Sequence, residues 1–148
     1  MTNLRLNKLV YFAQAYNLGL YNDVLFKEDI EAWKFGPVVR DIYDEYKIYG
    51  EKNLPAPENN LKLSKQDFRL LSAVLFKYGN YSSSDLIKLT HKKGSPWDTV
   101  YHSEENIIPP SLIASYYKKE NLFVYPEDKI IRKRDKDGYI LLPEDFND

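Results

Sequence analysis

The run Glu31-Ala32-Trp33-Lys34-Phe35-Gly36-Pro37-Val38 constrains the fold more than any other stretch of the chain. Gly36 can take a backbone angle closed to other residues. Pro37 has its φ fixed near the helical value and lacks an N–H, which suits the first position of a helix. If extended, Trp33 and Phe35 share one face, because strand side chains alternate with period two. The residue types favour a buried corner between a short strand and a helix, and any binding role is added to that corner rather than replacing it.

The segments on either side can be read by their periodicity. Asn3 is placed to cap a helix whose inward stripe is Leu6, Leu9, Val10, Ala13 and Leu20, with Asn7, Tyr11 and Gln14 on a second face. That helix is apolar over more than one stripe, so it is expected to pack on both sides, with Gly19 as its stop and Asn22-Asp23 continuing the break. Val24–Phe26 and Ile30–Phe35 read as short extended pieces. After Gly36-Pro37, the residues Val38, Val39, Ile42, Tyr46 and Tyr49 repeat at helical spacing up to Gly50. The outer face of this helix carries Arg40, Asp41, Asp44, Glu45 and Lys47 and reads as solvated.

Residues 51–60 hold Pro55 and Pro57 among polar residues and read as a connection too short to divide the chain. Leu61-Lys62-Leu63 alternates like a strand that pairs with the Trp33 segment. Ser64 and Asp67 form a capping signal for a helix with the stripe Phe68, Leu71, Leu75 and Tyr78. A further helix carries Leu86, Ile87, Leu89 and Thr90. Pro96-Trp97 starts a short helical turn, and Pro110 starts the last helix. Beyond Pro126, Ile130-Ile131, Asp137-Gly138 and Tyr139 to Leu142 read as a hairpin with a type I′ turn. The expected fold is mainly α: one compact helical domain over residues 1–125, a short β-hairpin around Trp33, and a tail, 126–148, with a C-terminal hairpin.

Composition removes several chemistries. The 148 residues contain no cysteine, which excludes disulfides, thiolate nucleophiles and Cys-ligated zinc and fits a cytoplasmic location. The 21 Lys and Arg are matched by 22 Asp and Glu, so the basic excess of a phosphate-backbone binder is missing. No window is apolar enough to cross a bilayer, and the first residues do not resemble a secretion signal. His91 and His102 stand in no nucleophile motif, Ser82-Ser83-Ser84-Asp85 is explained by helix capping, and Asp135-Lys136-Asp137-Gly138 lacks the glutamate that would complete a calcium loop. His91 with Asp98 is the one acid–base pair to weigh, and a hydrogen-bonded core histidine explains His91 better. No catalytic residue, metal or cofactor is expected. The 13 tyrosines fit an interaction surface.

Three clusters together resemble one family. Leu6-Asn7-Lys8-Leu9-Val10-Tyr11-Phe12-Ala13-Gln14 is similar to the first signature of the Panacea domain, found in SocA-like antitoxins and phage-associated proteins. Ile30 to Val38 with Tyr43 is similar to its second, and Leu86, Leu89, Thr90-His91 and Pro96-Trp97 to its third. The resemblance implies a helical antitoxin that binds and neutralises a protein toxin encoded beside it, and it carries Lys8, Tyr11, Gln14, Trp33, Lys34, Gly36, Pro37, Val38, His91, Pro96 and Trp97 as motif or partner-binding residues. The three motifs are expected to meet, with Trp33 and Trp97 flanking one core and Lys8 or Gln14 within reach. The family places a further helix ahead of its first motif, so a partner, a second copy in a homodimer, or the C-terminal tail is expected to cover the face this leaves. Alternatives are a proteolytic adaptor for the toxin, and a DNA-binding regulator using the helix pair 68–91, whose second helix offers only Lys88, Lys92 and Lys93.

Overall fold

The computed structural model describes residues 1–58 and 62–118. Within them the chain is mainly helical, with six α-helices and a two-stranded antiparallel hairpin. The C-terminal hairpin expected at Ile130 to Leu142, and the domain boundary at 125, lie outside the described residues.

Helix α1 (Asn3–Tyr21) is the axis of the fold. Its buried residues run from Asn7 through Leu18 with only Val10 half-exposed, and the other elements are arranged around it. The expected stripe is therefore only part of the story: Leu6, Val10 and Leu20 are half-buried, while the polar face with Asn7, Tyr11 and Gln14 is enclosed. The cap is Thr2, whose hydroxyl accepts from the Arg5 N–H at 3.2 Å, and Asn3 is instead the first buried turn. Gly19 does not stop the helix. It lies inside it because a Cβ there would meet the Tyr117 backbone at 2.7 Å, and the stop falls at Asn22, in the left-handed region at φ 52°.

Strands β1 (Ile30–Trp33) and β2 (Gly36–Val39) pair around the two-residue loop Lys34-Phe35. The hairpin partner of the Trp33 segment is thus the Gly-Pro run itself. Lys62 and Leu63 belong to no strand, Leu61 lies outside the described residues, and Val24–Phe26 forms no strand either. Pro37 sits in β2 instead of starting a helix, and helix α2 (Arg40–Tyr46) begins three residues later. Phe35 is turned out in the loop, 57% exposed, and does not share a strand face with Trp33.

A 3₁₀ turn (Lys47–Tyr49) follows α2 and closes at Gly50. Then come α3 (Lys65–Tyr78), α4 (Ser83–Thr90), α5 (Pro96–Tyr101) and α6 (Pro110–Tyr117). Ser64, Ser82 and Ser95 each cap the next helix by accepting from the N–H three residues on. The core joins Phe12, Tyr16 and Tyr11 of α1 to Tyr78 and Tyr117. Phe12 stacks on Tyr78 at 4.2 Å, and the Tyr16 and Tyr78 hydroxyls bond at 2.6 Å. On α3 the buried stripe is Leu70, Val74 and Tyr78; Phe68 and Leu75 of the expected stripe are exposed.

Candidate functional site

The hairpin is clamped on both edges. Register pairs Ala32 with Pro37 and Ile30 with Val39, and alternation along an antiparallel pair turns the backbone groups of these four residues outward. On the β1 side, the Ala32 N–H donates to the Asn106 carbonyl and the Ile108 N–H to the Ile30 carbonyl, both at 2.8 Å. On the β2 side, α1 substitutes side chains for a third strand. Asn7 Oδ1 accepts from the Val39 N–H at 3.0 Å, and Lys8 Nζ donates to the Pro37 carbonyl at 2.9 Å. Pro37 fits this edge because its place in the ladder asks for no N–H toward β1.

The third motif closes over the turn. Gly36 has φ 111°, and a Cβ there would fall 2.8 Å from Lys8 Cε and 2.9 Å from Thr90 Oγ1. Thr90 is fixed by donating to the Ile87 carbonyl at 2.8 Å, and Ser95 Oγ donates to the Thr90 carbonyl at 2.8 Å. Pro96 occupies the first position of α5. This orients Trp97, whose Nε1–H donates to the Trp33 carbonyl at 2.6 Å and whose ring lies between His91 (3.6 Å) and Tyr101 (4.5 Å) in a near-parallel stack.

Lys8, Gly36, Pro37, Thr90, His91, Pro96, Trp97 and the Trp33 backbone thus come together. Gln14 does not join them. It accepts from the Leu25 N–H at 2.6 Å and donates to the Phe26 carbonyl at 2.8 Å, holding the 23–29 loop. Tyr11 is a core ring 6.0 Å from Tyr117, and Val38 is buried in β2. The Trp33 ring is edge-on to Tyr43 at 4.8 Å and 5.1 Å from the Arg40 guanidinium, and it is the Trp33 backbone carbonyl that meets Trp97. Lys34 is exposed at the tip, 5.5 Å from the Phe35 ring.

Glu31 is a further anchor that the sequence had placed on no site. Arg40 donates two hydrogen bonds to its carboxylate at 2.8 and 2.9 Å, Asn106 Nδ2 donates one at 2.7 Å, and Trp33 Nε1 donates one at 3.3 Å. The Arg40 guanidinium first, helped by the Asn106 and Trp33 donors, holds the Glu31 carboxyl below its ordinary range. The signal was present: a two-residue loop pairs Glu31 with Val38, so Arg40, two residues on, is its diagonal neighbour across the hairpin.

Burial lowers the Lys8 amine to about 7. His91 is also lowered, by burial first and by the nearby Lys8 second, against an opposing pull from Asp98. Lys8 has no solvent contact, and its amine is directed to the Pro37 carbonyl. A cavity of 30 Å³ lies beneath the 24–30 loop, lined by Gln14, Phe26, Ile108 and Ile113; it has room for about one water. Among the described residues no three His, Asp or Glu side chains gather to hold a metal. No helix among them is long and apolar enough to cross a membrane. On α4 the outward side chains include Ser84, Asp85 and Lys88, a mixed set without a basic stripe.

This arrangement defines a helical domain whose motif residues build and brace a hairpin. The chain belongs to the family described as Antitoxin SocA-like, Panacea domain, which matches residues 6–98. It is 31% identical over 116 residues to Antitoxin SocA of Caulobacter vibrioides (strain NA1000 / CB15N), an alignment covering 68% of this chain and 60% of that relative's length. No solved structure matches the chain.

Proposed function

We propose that the protein is the antitoxin of a toxin–antitoxin pair and neutralises a cognate protein toxin by direct binding. Membership of the SocA-like family carries this reading. The chemistry of the motif supports it: the polar groups of Lys8, Asn7, Thr90, Ser95 and Trp97 are all engaged within the fold, which suits a rigid platform better than a reacting centre. The exposed tip is Lys34-Phe35, and Arg40, Tyr101 and Ile107 are also exposed on the segments that brace the hairpin. An exposed aromatic beside cationic side chains is the composition of an interface anchor.

Co-expression with the product of the neighbouring gene tests this. The expected outcome is restored growth and a complex that survives purification, both weakened by Phe35→Glu while the thermal melt of the free protein stays unchanged. Absence of rescue and of a complex with the products of both flanking genes would sink the proposal. Toxin half-life with and without the protein separates occlusion, which leaves it unchanged or longer, from delivery to a protease, which shortens it.

A further inference from the structure

Helix α3 has two apolar faces, and the described fold covers one. Leu70, Val74 and Tyr78 are buried, whereas Phe68, Leu75 and Phe76 are 63%, 51% and 93% exposed. Phe68, Ser72 and Phe76 follow one another at intervals of four residues, so they form a single ridge of the kind that packs into the groove of another helix. Ser72, exposed and small, is its midpoint. Just beyond the helix ends, Leu63 and Tyr81 are also exposed, nine residues before and nine residues after Ser72. Phe68 and Phe76, and further out Leu63 and Tyr81, therefore stand at equal spacings on either side of Ser72, whereas Leu75 has Arg69 at its matching position.

A surface with that property complements itself. When two copies of α3 cross antiparallel at Ser72, Phe68 of each meets Phe76 of the other, and Leu63 meets Tyr81. The small serines at the crossing let the backbones approach. We propose that α3 is the interface of a two-fold homodimer of this chain, with Ser72 on the axis. A buried aromatic side chain removes ~150–250 Å² from water. The phenylalanines, Leu75, Leu63 and Tyr81 of two copies therefore hide on the order of 1,000 Å², the lower edge of specific interfaces. The dimer is reversible, with dissociation in the micromolar range. Its interface is separate from the hairpin tip, so it stands whether or not that tip holds a toxin.

The test uses the full chain, which contains no cysteine. Sedimentation equilibrium from micromolar to near-millimolar protein should show the mass rising from the 17.5 kDa of one chain to that of two. Phe68→Glu and Phe76→Glu should each raise the dissociation constant about tenfold or more, about 1.4 kcal/mol per decade. Both side chains are exposed, so circular-dichroism melts of the variants should match the parent. Ser72→Cys places a lone thiol at the crossing, and diamide should link it into a disulfide dimer about tenfold faster than a control thiol at Glu45→Cys on α2. A monomer throughout the range would overturn the proposal. So would a dimer that both glutamate variants leave intact, or a Ser72→Cys thiol that links no faster than the control.

Discussion

Lys8 and Pro37, 29 residues apart in the chain, share one hydrogen bond of 2.9 Å in a place closed to solvent. A lysine buried so completely against a single carbonyl is held with its amine lowered from 10.5 to about 7. Between those two values the unfolded chain carries a proton on Lys8 that the folded chain does not. The contribution of Lys8 to stability therefore rises as pH goes from about 7 towards 10, and is flat below 7, where both states are protonated. Above pH 10 the buried Tyr11 and Tyr117, whose hydroxyls are raised by burial, act in the opposite sense, since only the unfolded chain ionises there. Urea melts at pH 7, 8 and 9 should show the rise in the parent and its loss in Lys8→Met. An equal slope in the two proteins would refute the buried neutral amine.

The glycines should rank by what surrounds them. Gly36→Ala combines a φ of 111° with contacts at 2.8 and 2.9 Å, and should cost roughly 2–4 kcal/mol. Gly19→Ala, which in an open helix would stabilise by ~1 kcal/mol, should destabilise because its Cβ strikes the Tyr117 backbone. Gly50→Ala has open space around it, so its cost is the backbone strain of φ 55° and ψ −125° alone, roughly 1–3 kcal/mol. Chemical denaturation of the three variants checks the order.

Glu31 ties the hairpin to Arg40 and Asn106 as an anion. Its folded-state value lies below the ordinary 4.5, so the stability it supplies is complete above that pH and disappears as pH falls through the lower folded value. Glu31→Gln should therefore lower stability at neutral pH and flatten the acid limb of the curve. Because Arg40 is largely exposed, the loss should be smaller than that of Gly36→Ala.

Trp97→Phe keeps a ring between His91 and Tyr101 but removes the donor to the Trp33 carbonyl. The expected cost is about 1–3 kcal/mol, the penalty of leaving a half-buried acceptor without its partner. The remaining indole, Trp33, should then report the loosened hairpin by a shift in its fluorescence.

Helix positions and serine caps were legible in the sequence because spacing and capping chemistry are local. The encounter of the three motifs was legible only through resemblance to a family. The role of Pro37 was misjudged for a physical reason: fixed φ and a missing N–H suit both a helix start and an unpaired strand edge, and the choice between them depends on Lys8 and Asn7, which are distant in the chain. Gly19 misled in the same way, since a helix stop and a close crossing both favour glycine. Phe68 and Leu75 have helical spacing whether their face meets the core or solvent, and periodicity alone has no means of distinguishing the two. Gln14 shares a helix face with Lys8's neighbours, yet the 23–29 loop takes up both the oxygen and the nitrogen of its amide.

Enclosure of α1 on nearly every side has a bearing on the order in which the chain is made. Helix α1 is made before every other described element, and the residues that wall it in follow from Pro37, 16 residues after its end at Tyr21, to Tyr117, 96 residues after it. Contacts of such sequence separation form late and slowly. During synthesis Phe12, Tyr16 and Leu18 stand without their neighbours until α3 and α6 have emerged, so the interval between α1 and α6 is when this part of the nascent protein is most open to holding factors and to proteases.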